Sequence, residues 1–171
     1  MRQIRLLGPG TSRRRVGGPD FGMVAEEVLT VVDYKVDPKE WPEADFYFFD
    51  VRSRTYPFKS ETFDEIHAYE LLNLLPGGFA EFFLLWRNLW RILKPGGIVV
   101  ATVPHWDSEW IHAYPSPQRV YTPGLLSYLD PLFVNSAKEP YDEWPSPYRF
   151  VLESAFQNEI RTAFIFTLRK E

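Results

Sequence analysis

The sequence contains no cysteine and no apolar run that approaches the ~18 residues of a membrane-spanning helix. Without cysteine there are no disulfides, thiolate metal sites or cysteine nucleophiles, which fits a reducing compartment. The first ten residues carry only a short apolar block around Arg5, well short of the apolar core of a secretory signal. We therefore expect a cytoplasmic protein with no membrane segment.

Positive charge is scarce beyond the N-terminal region. The net charge is −4, yet residues 1–20 carry five arginines and a single aspartate. The acidic remainder argues against a broad nucleic-acid surface, because the capture of phosphates needs a basic face. The basic cluster at residues 13–15 is either a solvated loop or a contact for a phosphate or another polyanion. Both interpretations stay open.

Apolar residues are plentiful enough for one core. A chain of this length buries about 70% of its unfolded surface, and 45% of the 171 residues are hydrophobic. We therefore predict a single domain over residues 1–171, without a linker or an internal repeat. The oligomeric state is open, and a homo-oligomer is among the states that the sequence allows.

Segments rich in β-branched and aromatic residues alternate with helical or turn-rich segments, a rhythm typical of an α/β fold built from βαβ units. Strands are predicted over residues 4–7, 28–32, 46–49, 63–68 and 98–103, with a C-terminal hairpin over 148–156 and 160–168. Apolar residues on one helical face predict a helix over 79–93, and Thr122 caps another over 123–129. Glycine, proline and arginine disfavour a helix within residues 11–22.

In open α/β sheets, ligands bind beyond the carboxyl ends of the strands, so the residues after each strand are candidate site residues. Gly8 and Gly10 follow the first predicted strand, where a missing Cβ lets a ligand approach the backbone. Asp33 follows the second strand, 25 residues after Gly8, close to the ~20-residue spacing at which a carboxylate binds ribose hydroxyls. Asp50 follows the third strand. Together these residues predict nucleoside binding.

The glycine turn differs from that of dinucleotide-binding enzymes. In the run Gly8-Pro9-Gly10-Thr11-Ser12-Arg13, an arginine occupies the position of the third glycine in the G-x-G-x-x-G fingerprint. A pyrophosphate cradle is therefore disfavoured, and a nicotinamide oxidoreductase is disfavoured with it.

A longer ordered series of motifs runs from Asp50 to Pro104. It comprises Asp50-Val51, Tyr56-Pro57-Phe58, the sequence ETFDEIHA over residues 61–68 and the sequence RILKPGG over residues 91–97. This series resembles that of the class I S-adenosylmethionine-dependent methyltransferases, and the resemblance extends more faintly over residues 4–130. It implies a Rossmann-like methyltransferase fold that binds S-adenosylmethionine. The sheet would be mostly parallel and seven-stranded, with a C-terminal antiparallel hairpin and a reduced helix after the first strand.

The resemblance also implies a cofactor contact for each strand end. By position, the contacts would be Gly8 and Gly10 at the methionine moiety, Asp33 at the ribose, Asp50 and Val51 at the adenine, and Tyr69 and Glu70 at the sulfonium. The alternative for each acidic residue, taken alone, is a strand-end cap or a surface carboxylate.

Methyl transfer is a direct displacement, in which the protein aligns the reactants and supplies a base only when the acceptor carries a proton. Candidates for that base, or for orienting the acceptor, follow the fifth strand: His105, Asp107, Glu109, His112 and Tyr114. We take His105 and Tyr114 as the predicted catalytic residues. The spacing of these groups matches no standard zinc pattern, so no metal site is predicted. His67 lies inside a strand and is interpreted as a core residue with satisfied hydrogen bonds.

Two departures from the family pattern leave a second class of function open. Asn73-Leu74 stands where relatives commonly have a Glu-His pair, and residues 115–118 replace a polar D-P-T-H stretch. The chain is interpreted as a methyltransferase with an unidentified small-molecule or macromolecular acceptor. The alternative is a degenerate methyltransferase-like domain that binds a cofactor, nucleotide or protein partner without turnover.

Overall fold

The computed structural model describes residues 2–7, 28–32, 45–47, 49–75, 78–113, 119–130, 148–159 and 162–171. Seven strands occur in these residues: β1 Arg2–Leu7, β2 Val28–Val32, β3 Asp45–Tyr47, β4 Phe63–Tyr69, β5 Leu93–Pro104, β6 Phe150–Gln157 and β7 Ala163–Lys170. The same residues contain three α-helices: α1 Phe79–Ile92, α2 Trp110–Ala113 and α3 Pro123–Leu126. Short 3₁₀ helices cover Leu72–Leu74 and Ser127–Leu129.

The strands lie side by side in one sheet, in the order β3-β2-β1-β4-β5-β7-β6. The strands β1 to β5 are parallel to one another, whereas β7 runs antiparallel to both β5 and β6. The predicted α/β class is therefore confirmed. The predicted reduction of the helix after β1 concerns residues that lie outside the described ranges.

The main core lies between α1 and one face of the sheet. Ile66 and Ala68 of β4 belong to this core, as do alternate residues of β5. The buried apolar face of α1 consists of Phe82, Leu85, Trp86, Leu89 and Ile92. Because each such side chain stabilises the fold by about 1.5–3 kcal/mol when it is fully buried, this face fixes how α1 sits on the sheet.

The start of β5 differs from the sequence prediction. The predicted helix over 79–93 and the predicted strand over 98–103 leave residues 94–97, the sequence KPGG, as a connection between them, but β5 begins directly after the helix at Leu93. Leu93 pairs with Phe63 and Ile98 pairs with Glu65, so the turn is taken up as an irregularity inside the ladder. Gly96 allows this with a φ of 75°, a conformation that glycine adopts without steric cost.

The predicted helix over 123–129 is α-helical only in its first half. Thr122 caps it as expected, since its Oγ1 accepts a hydrogen bond from the Leu125 N–H over 3.1 Å. The chain then tightens into the 3₁₀ helix Ser127–Leu129. Such tightening is common at helix ends, where it satisfies carbonyls that have no α-helical partner.

Candidate functional site

The carboxyl ends of the parallel strands meet at one edge of the sheet. Leu7 at the end of β1 lies beside Tyr69 at the end of β4, and Tyr69 lies beside Thr102 of β5. Segments that leave the sheet after these strands therefore share an edge, where open α/β sheets bind their ligands. The described segments are residues 49–62 after β3, 70–75 after β4 and 105–113 after β5.

Four of the predicted site residues lie outside the described ranges, namely Gly8, Gly10, Asp33 and Tyr114. Gly8 follows β1 directly in the chain and Asp33 follows β2 directly. The remaining predicted residues are described and lie at or just beyond the strand ends: Asp50, Val51, Tyr69, Glu70 and His105.

Asp50 lies in the loop after β3, and its carboxylate is bound to Arg52. The Arg52 backbone N–H donates to Oδ1 over 2.8 Å, and the guanidinium Nη2 donates to Oδ2 over 2.6 Å. The side-chain bond is the main reason why the pKa of Asp50 lies below its ordinary value. The Arg52 and Asp50 side chains are 63% and 48% exposed. An exposed ion pair contributes little to stability. A ligand amino group can therefore compete with Arg52 for the ionised Asp50 carboxylate.

The Val51 backbone is fixed by a buried tyrosine. The Tyr56 hydroxyl donates to the Val51 carbonyl over 2.8 Å, and Tyr56 is only 1% exposed. Its ring packs against Phe49, with ring centroids 4.8 Å apart. Burial raises the pKa of Tyr56 and so keeps the hydroxyl a donor. The loop after β3 is therefore held by a hydrogen bond inside the protein.

Two polar side chains of α1 anchor the same loop. Asn88 Nδ2 donates to the Ser53 carbonyl over 3.1 Å. Arg91 donates through Nη1 to the Phe58 carbonyl over 2.6 Å and through Nη2 to the Tyr56 carbonyl over 2.9 Å. Neither anchor was predicted from sequence, because the apolar periodicity of a helix does not specify the partners of its polar residues. An asparagine among the buried positions of that helix was the available signal, since buried amides require hydrogen-bond partners.

Tyr69 ends β4 and belongs to a buried chain of polar groups. Its hydroxyl lies 2.8 Å from His67 Nδ1, and His67 Nε2 lies 2.9 Å from a Glu65 carboxylate oxygen. These residues alternate with the core positions of β4 and so face the other side of the sheet. His67 is 4% exposed, and both ring nitrogens have partners, so its interpretation as a satisfied core residue is confirmed.

Glu70 follows β4 in a left-handed conformation, with a φ of 49°. Its N–H donates to the Thr102 carbonyl over 2.9 Å, which fixes the turn against β5. Glu70 keeps an exposed surface, yet neighbouring protein atoms partly desolvate its carboxylate. This desolvation raises the pKa of Glu70. A hydrogen bond with the Thr102 side chain opposes this shift without cancelling it.

His105 directly follows β5 and is only 1% exposed. Its Nδ1 accepts a hydrogen bond from the Asp107 N–H over 3.2 Å, so the proton of the neutral ring lies on Nε2. That Nε2 atom is buried and has no hydrogen-bond partner among the described residues. The Trp106 ring packs on the imidazole, with centroids 4.0 Å apart. This geometry favours a donor that orients a ligand over a base.

A cleft of about 70 Å³ lies between the loop at Val51, the first half of α1 and the segment at Tyr121. The Arg119 guanidinium lies over the Phe82 ring in its wall, 5.1 Å from the ring centroid. Known ligand pockets measure roughly 300–1,000 Å³, so this cleft would hold only one end of a ligand.

The hydroxyl of Tyr121 in this cleft is buried without a hydrogen-bond partner among the described residues. The Trp86 indole approaches it closely enough to favour its ionised form, but the pair does not reach hydrogen-bonding geometry. Burial outweighs that effect and raises the pKa of Tyr121. Among the described residues, the wall of the cleft therefore contains a buried hydroxyl without a hydrogen-bond partner.

The described residues contain no group of three histidine, aspartate or glutamate side chains that could hold a metal ion. In the same part of the chain, every helix is too short or too polar to cross a membrane. The arginine cluster at residues 13–15 lies outside the described ranges.

No protein-family model matches the sequence, and no curated protein matches it. Solved structures match the fold over nearly the whole chain. One is an S-adenosylmethionine-dependent methyltransferase from Mesorhizobium loti, with a TM-score of 0.57 at 13% identity over 98% of this chain and 90% of that protein. The chain has a methyltransferase-like fold. The resemblance predicted from the motif series is thus confirmed at the level of the fold.

Two further solved structures share this methyltransferase-like fold. The first comes from a complex between the Haloferax volcanii Trm112 methyltransferase activator and a candidate methyltransferase, with a TM-score of 0.64 at 11% identity over 98% of this chain and 81% of that one. The second is the [4+2]-cyclase SpnF, with a TM-score of 0.61 at 15% identity over 98% and 74% of the two chains. At these identities the likeness establishes the fold alone, because one fold hosts several activities.

Proposed function

We propose that the chain is an S-adenosylmethionine-dependent methyltransferase with an unidentified acceptor. The observation that carries the proposal is the likeness of nearly the full chain to a solved enzyme of that activity. The motif series from Asp50 to Pro104 supports the proposal independently, because its residues resemble those of the family without any use of the structure. The absence of cysteine further supports a cytoplasmic location.

The proposed cofactor site comprises Gly8, Gly10, Asp33, Asp50, Val51, Tyr69 and Glu70. Support for the adenine end comes from Asp50, which is ionised and half exposed and can accept a hydrogen bond from an amino group. Support for the sulfonium end comes from Glu70, which directly follows β4 at the carboxyl edge of the sheet. On the acceptor side we propose His105 and Tyr114. The buried Nε2 of His105 supports its part, since an unpaired donor is satisfied when a ligand supplies an acceptor atom.

Calorimetric titration with S-adenosylmethionine and S-adenosylhomocysteine tests this proposal. We expect the natural protein to bind both, and Asp50→Ala to weaken binding by about 10-fold or more, the effect of losing one charged hydrogen bond. Asp33→Ala should act in the same direction. Asp64→Ala is the matched control, because Asp64 pairs with Lys94 over 2.8 Å at the opposite end of β4.

Failure of the natural protein to bind either ligand would contradict the proposed activity. Equal affinities for Asp50→Ala and Asp64→Ala would instead show that the adenine pocket lies elsewhere.

A second candidate function is a methyltransferase-like domain that binds without turnover. Asn73, in place of the acidic residue expected there, is 2% exposed, and its backbone carbonyl accepts the Arg119 N–H over 3.0 Å. The residue at this position is therefore buried rather than open to an acceptor. A protein partner fits this alternative, since one fold neighbour occurs in a complex with a methyltransferase activator. Cofactor binding without the formation of S-adenosylhomocysteine, across hydroxyl, amine and carboxylate acceptors, would favour it.

A further inference from the structure

We propose that the cleft beside α1 binds an apolar carboxylic acid about the size of one ring, whose carboxylate accepts hydrogen bonds from the Tyr121 hydroxyl and the Arg119 guanidinium. The inference goes beyond the proposed function, because binding of the acid requires no methyl donor. Under the proposed function the acid is one end of the methyl acceptor, and only that statement rests on the proposed function.

The walls of the cleft suit a small apolar group. The cleft measures about 70 Å³, and its apolar side chains come from the loop after β3, the segment after β4 and the first half of α1: Val51, Leu75, Phe82, Leu84 and Leu85. Apolar surface that leaves water on these side chains favours binding. Because the cleft is smaller than the pockets that enclose a whole drug-sized ligand, the group that enters it is a single ring with one polar substituent.

The Tyr121 hydroxyl supplies a donor for that polar substituent. Tyr121 lines the cleft and is 1% exposed, and its hydroxyl has no hydrogen-bond partner among the described residues. The neighbouring Trp86 indole has only an N–H donor, so even a closer approach of that N–H would leave the hydroxyl proton without an acceptor. A buried hydroxyl without a partner lowers stability. An acceptor atom that enters the cleft removes this cost.

Arg119 makes an anion the preferred acceptor. Its guanidinium lies over the Phe82 ring, 5.1 Å from the ring centroid, and its Nη2 donates to the Gly78 carbonyl over 2.8 Å. These contacts hold the cation in the wall of the cleft, near enough for its charge to act on the Tyr121 hydroxyl. A carboxylate accepts hydrogen bonds from both groups, whereas an ammonium group has no acceptor atom for either.

The other two charged residues of the lining do not reverse this preference. The Arg52 guanidinium lies 2.6 Å from the Asp50 carboxylate, so its charge is balanced within the loop. Glu81 lies in the first turn of α1, where the helix dipole favours a negative charge. The residue is exposed, and water and salt therefore weaken its repulsion of an anion in the cleft.

NMR titration of the ¹⁵N-labelled full chain with benzoate, without S-adenosylmethionine, tests the proposal. Benzylamine and acetate are the comparison probes, because the first lacks the carboxylate and the second lacks the ring. We expect benzoate to bind with a dissociation constant in the millimolar range. Benzylamine and acetate should bind about 10-fold more weakly or less, since each lacks one of the two kinds of contact.

Variants with matched controls locate the bound acid. Tyr121→Phe and Arg119→Gln should each weaken benzoate binding about 10-fold or more, the effect of losing one hydrogen bond to a charged group. Tyr128→Phe and Arg87→Gln are the controls and should bind as the natural protein does, because Tyr128 and Arg87 do not line the cleft. Since Arg119 also bonds the Gly78 carbonyl, Tyr121→Phe decides the matter if Arg119→Gln does not fold.

Thermal unfolding gives a second measurement. A ligand stabilises the folded state according to its occupancy, so benzoate should raise the melting temperatures of the natural protein and of Tyr128→Phe. The same concentration should leave that of Tyr121→Phe nearly unchanged, although this variant is expected to be the more stable one without ligand. Glu81→Gln should strengthen benzoate binding by about 2-fold, because it removes a weak repulsion.

Four results would overturn the inference. They are failure of the natural protein to bind benzoate, equal benzoate affinities for Tyr121→Phe and Tyr128→Phe, tighter binding of benzylamine than of benzoate, and displacement of benzoate by S-adenosylhomocysteine. Equal affinities would mean that a water molecule satisfies the hydroxyl or that the acid binds elsewhere, and displacement would make the cleft part of the cofactor site. Failure to bind S-adenosylmethionine contradicts the proposed function instead and leaves the benzoate result valid.

Discussion

The two buried tyrosines near the Asp50 loop should respond in opposite ways to the loss of a hydroxyl group. Tyr56 and Tyr121 are each 1% exposed, and burial raises the pKa of both. They differ in hydrogen bonding, because the Tyr56 hydroxyl donates to the Val51 carbonyl over 2.8 Å. The Tyr121 hydroxyl has no partner in the described part of the chain. Phenylalanine at each position therefore separates hydrogen bonding from burial.

The magnitudes follow from these contacts. Tyr56→Phe removes one hydrogen bond and leaves the half-buried Val51 carbonyl for water to satisfy in part, so we expect a loss of about 1–2 kcal/mol in the free energy of unfolding. Tyr121→Phe removes a hydroxyl that is desolvated without compensation, so we expect a gain of about 1 kcal/mol. The two variants should thus differ by about 2–3 kcal/mol, although the same atom is deleted from equally buried rings.

Urea unfolding at neutral pH, followed by tryptophan fluorescence and by circular dichroism, measures both changes from the transition midpoints when the slopes agree. A loss in Tyr121→Phe as large as that in Tyr56→Phe would refute the reasoning. It would mean that the approach of the Trp86 indole is a true hydrogen bond in solution. Adding Trp86→Phe to Tyr121→Phe would then show a coupling between the two substitutions, and additive effects would exclude one.

Three further outcomes are expected. In thermal unfolding, Gly97→Ala should destabilise the fold by about 2 kcal/mol or more, because the added Cβ would lie 2.8 Å from the Asp64 carbonyl oxygen. Gly96→Ala should cost about 1 kcal/mol, because the new side chain meets only the unfavourable positive φ. Glu70→Gln should stabilise the protein at neutral pH but not at acid pH, because the raised pKa of Glu70 makes the natural protein less stable as the pH rises above the ordinary glutamate value of 4.5. The same difference in urea midpoint between variant and natural protein at both pH values would contradict this. Arg91→Lys keeps the charge but lacks the second donor arm, so it should lower the free energy of unfolding by about 1–2 kcal/mol and weaken binding of S-adenosylmethionine. Unchanged affinity in calorimetry would show that ligand binding does not need this anchor of the loop.

The elements that sequence predicted well are those whose pattern is local. The apolar face of α1 repeats with the helical period and is buried as expected, and the hairpin strands β6 and β7 pair as predicted. The end of β3 could not be predicted from sequence, because each of four consecutive aromatic residues is suited to a strand and none of them marks its last residue. The described strand ends at Tyr47, and Phe49 packs in the loop instead.

Sequence predicted which residues follow the strand ends, but it did not predict their hydrogen-bond partners. Strand ends locate Asp50, Glu70 and His105, because the carboxyl edge follows from the α/β pattern. The roles of these groups depend on partners that no local pattern specifies. The Asp107 N–H decides the tautomer of His105, and Thr102 holds Glu70 in its left-handed turn.

The candidate site has two halves, the Asp50 loop and the pair Glu70 and His105, and they affect stability in opposite ways. The Asp50 loop is held by hydrogen bonds from Tyr56, Asn88 and Arg91, so contacts that stabilise the fold also preorganise the proposed adenine pocket. Glu70 and His105 each add a cost, one through a strained and desolvated carboxylate and the other through a buried unpaired N–H. A ligand at the second half would relieve the unpaired donor, which ties acceptor binding to the stability of the segment after β5. Contacts that preorganise a site favour stability, whereas desolvated or unpaired polar groups work against it, so the hydrogen-bonded loop at Asp50 offsets the costs that Glu70 and His105 add.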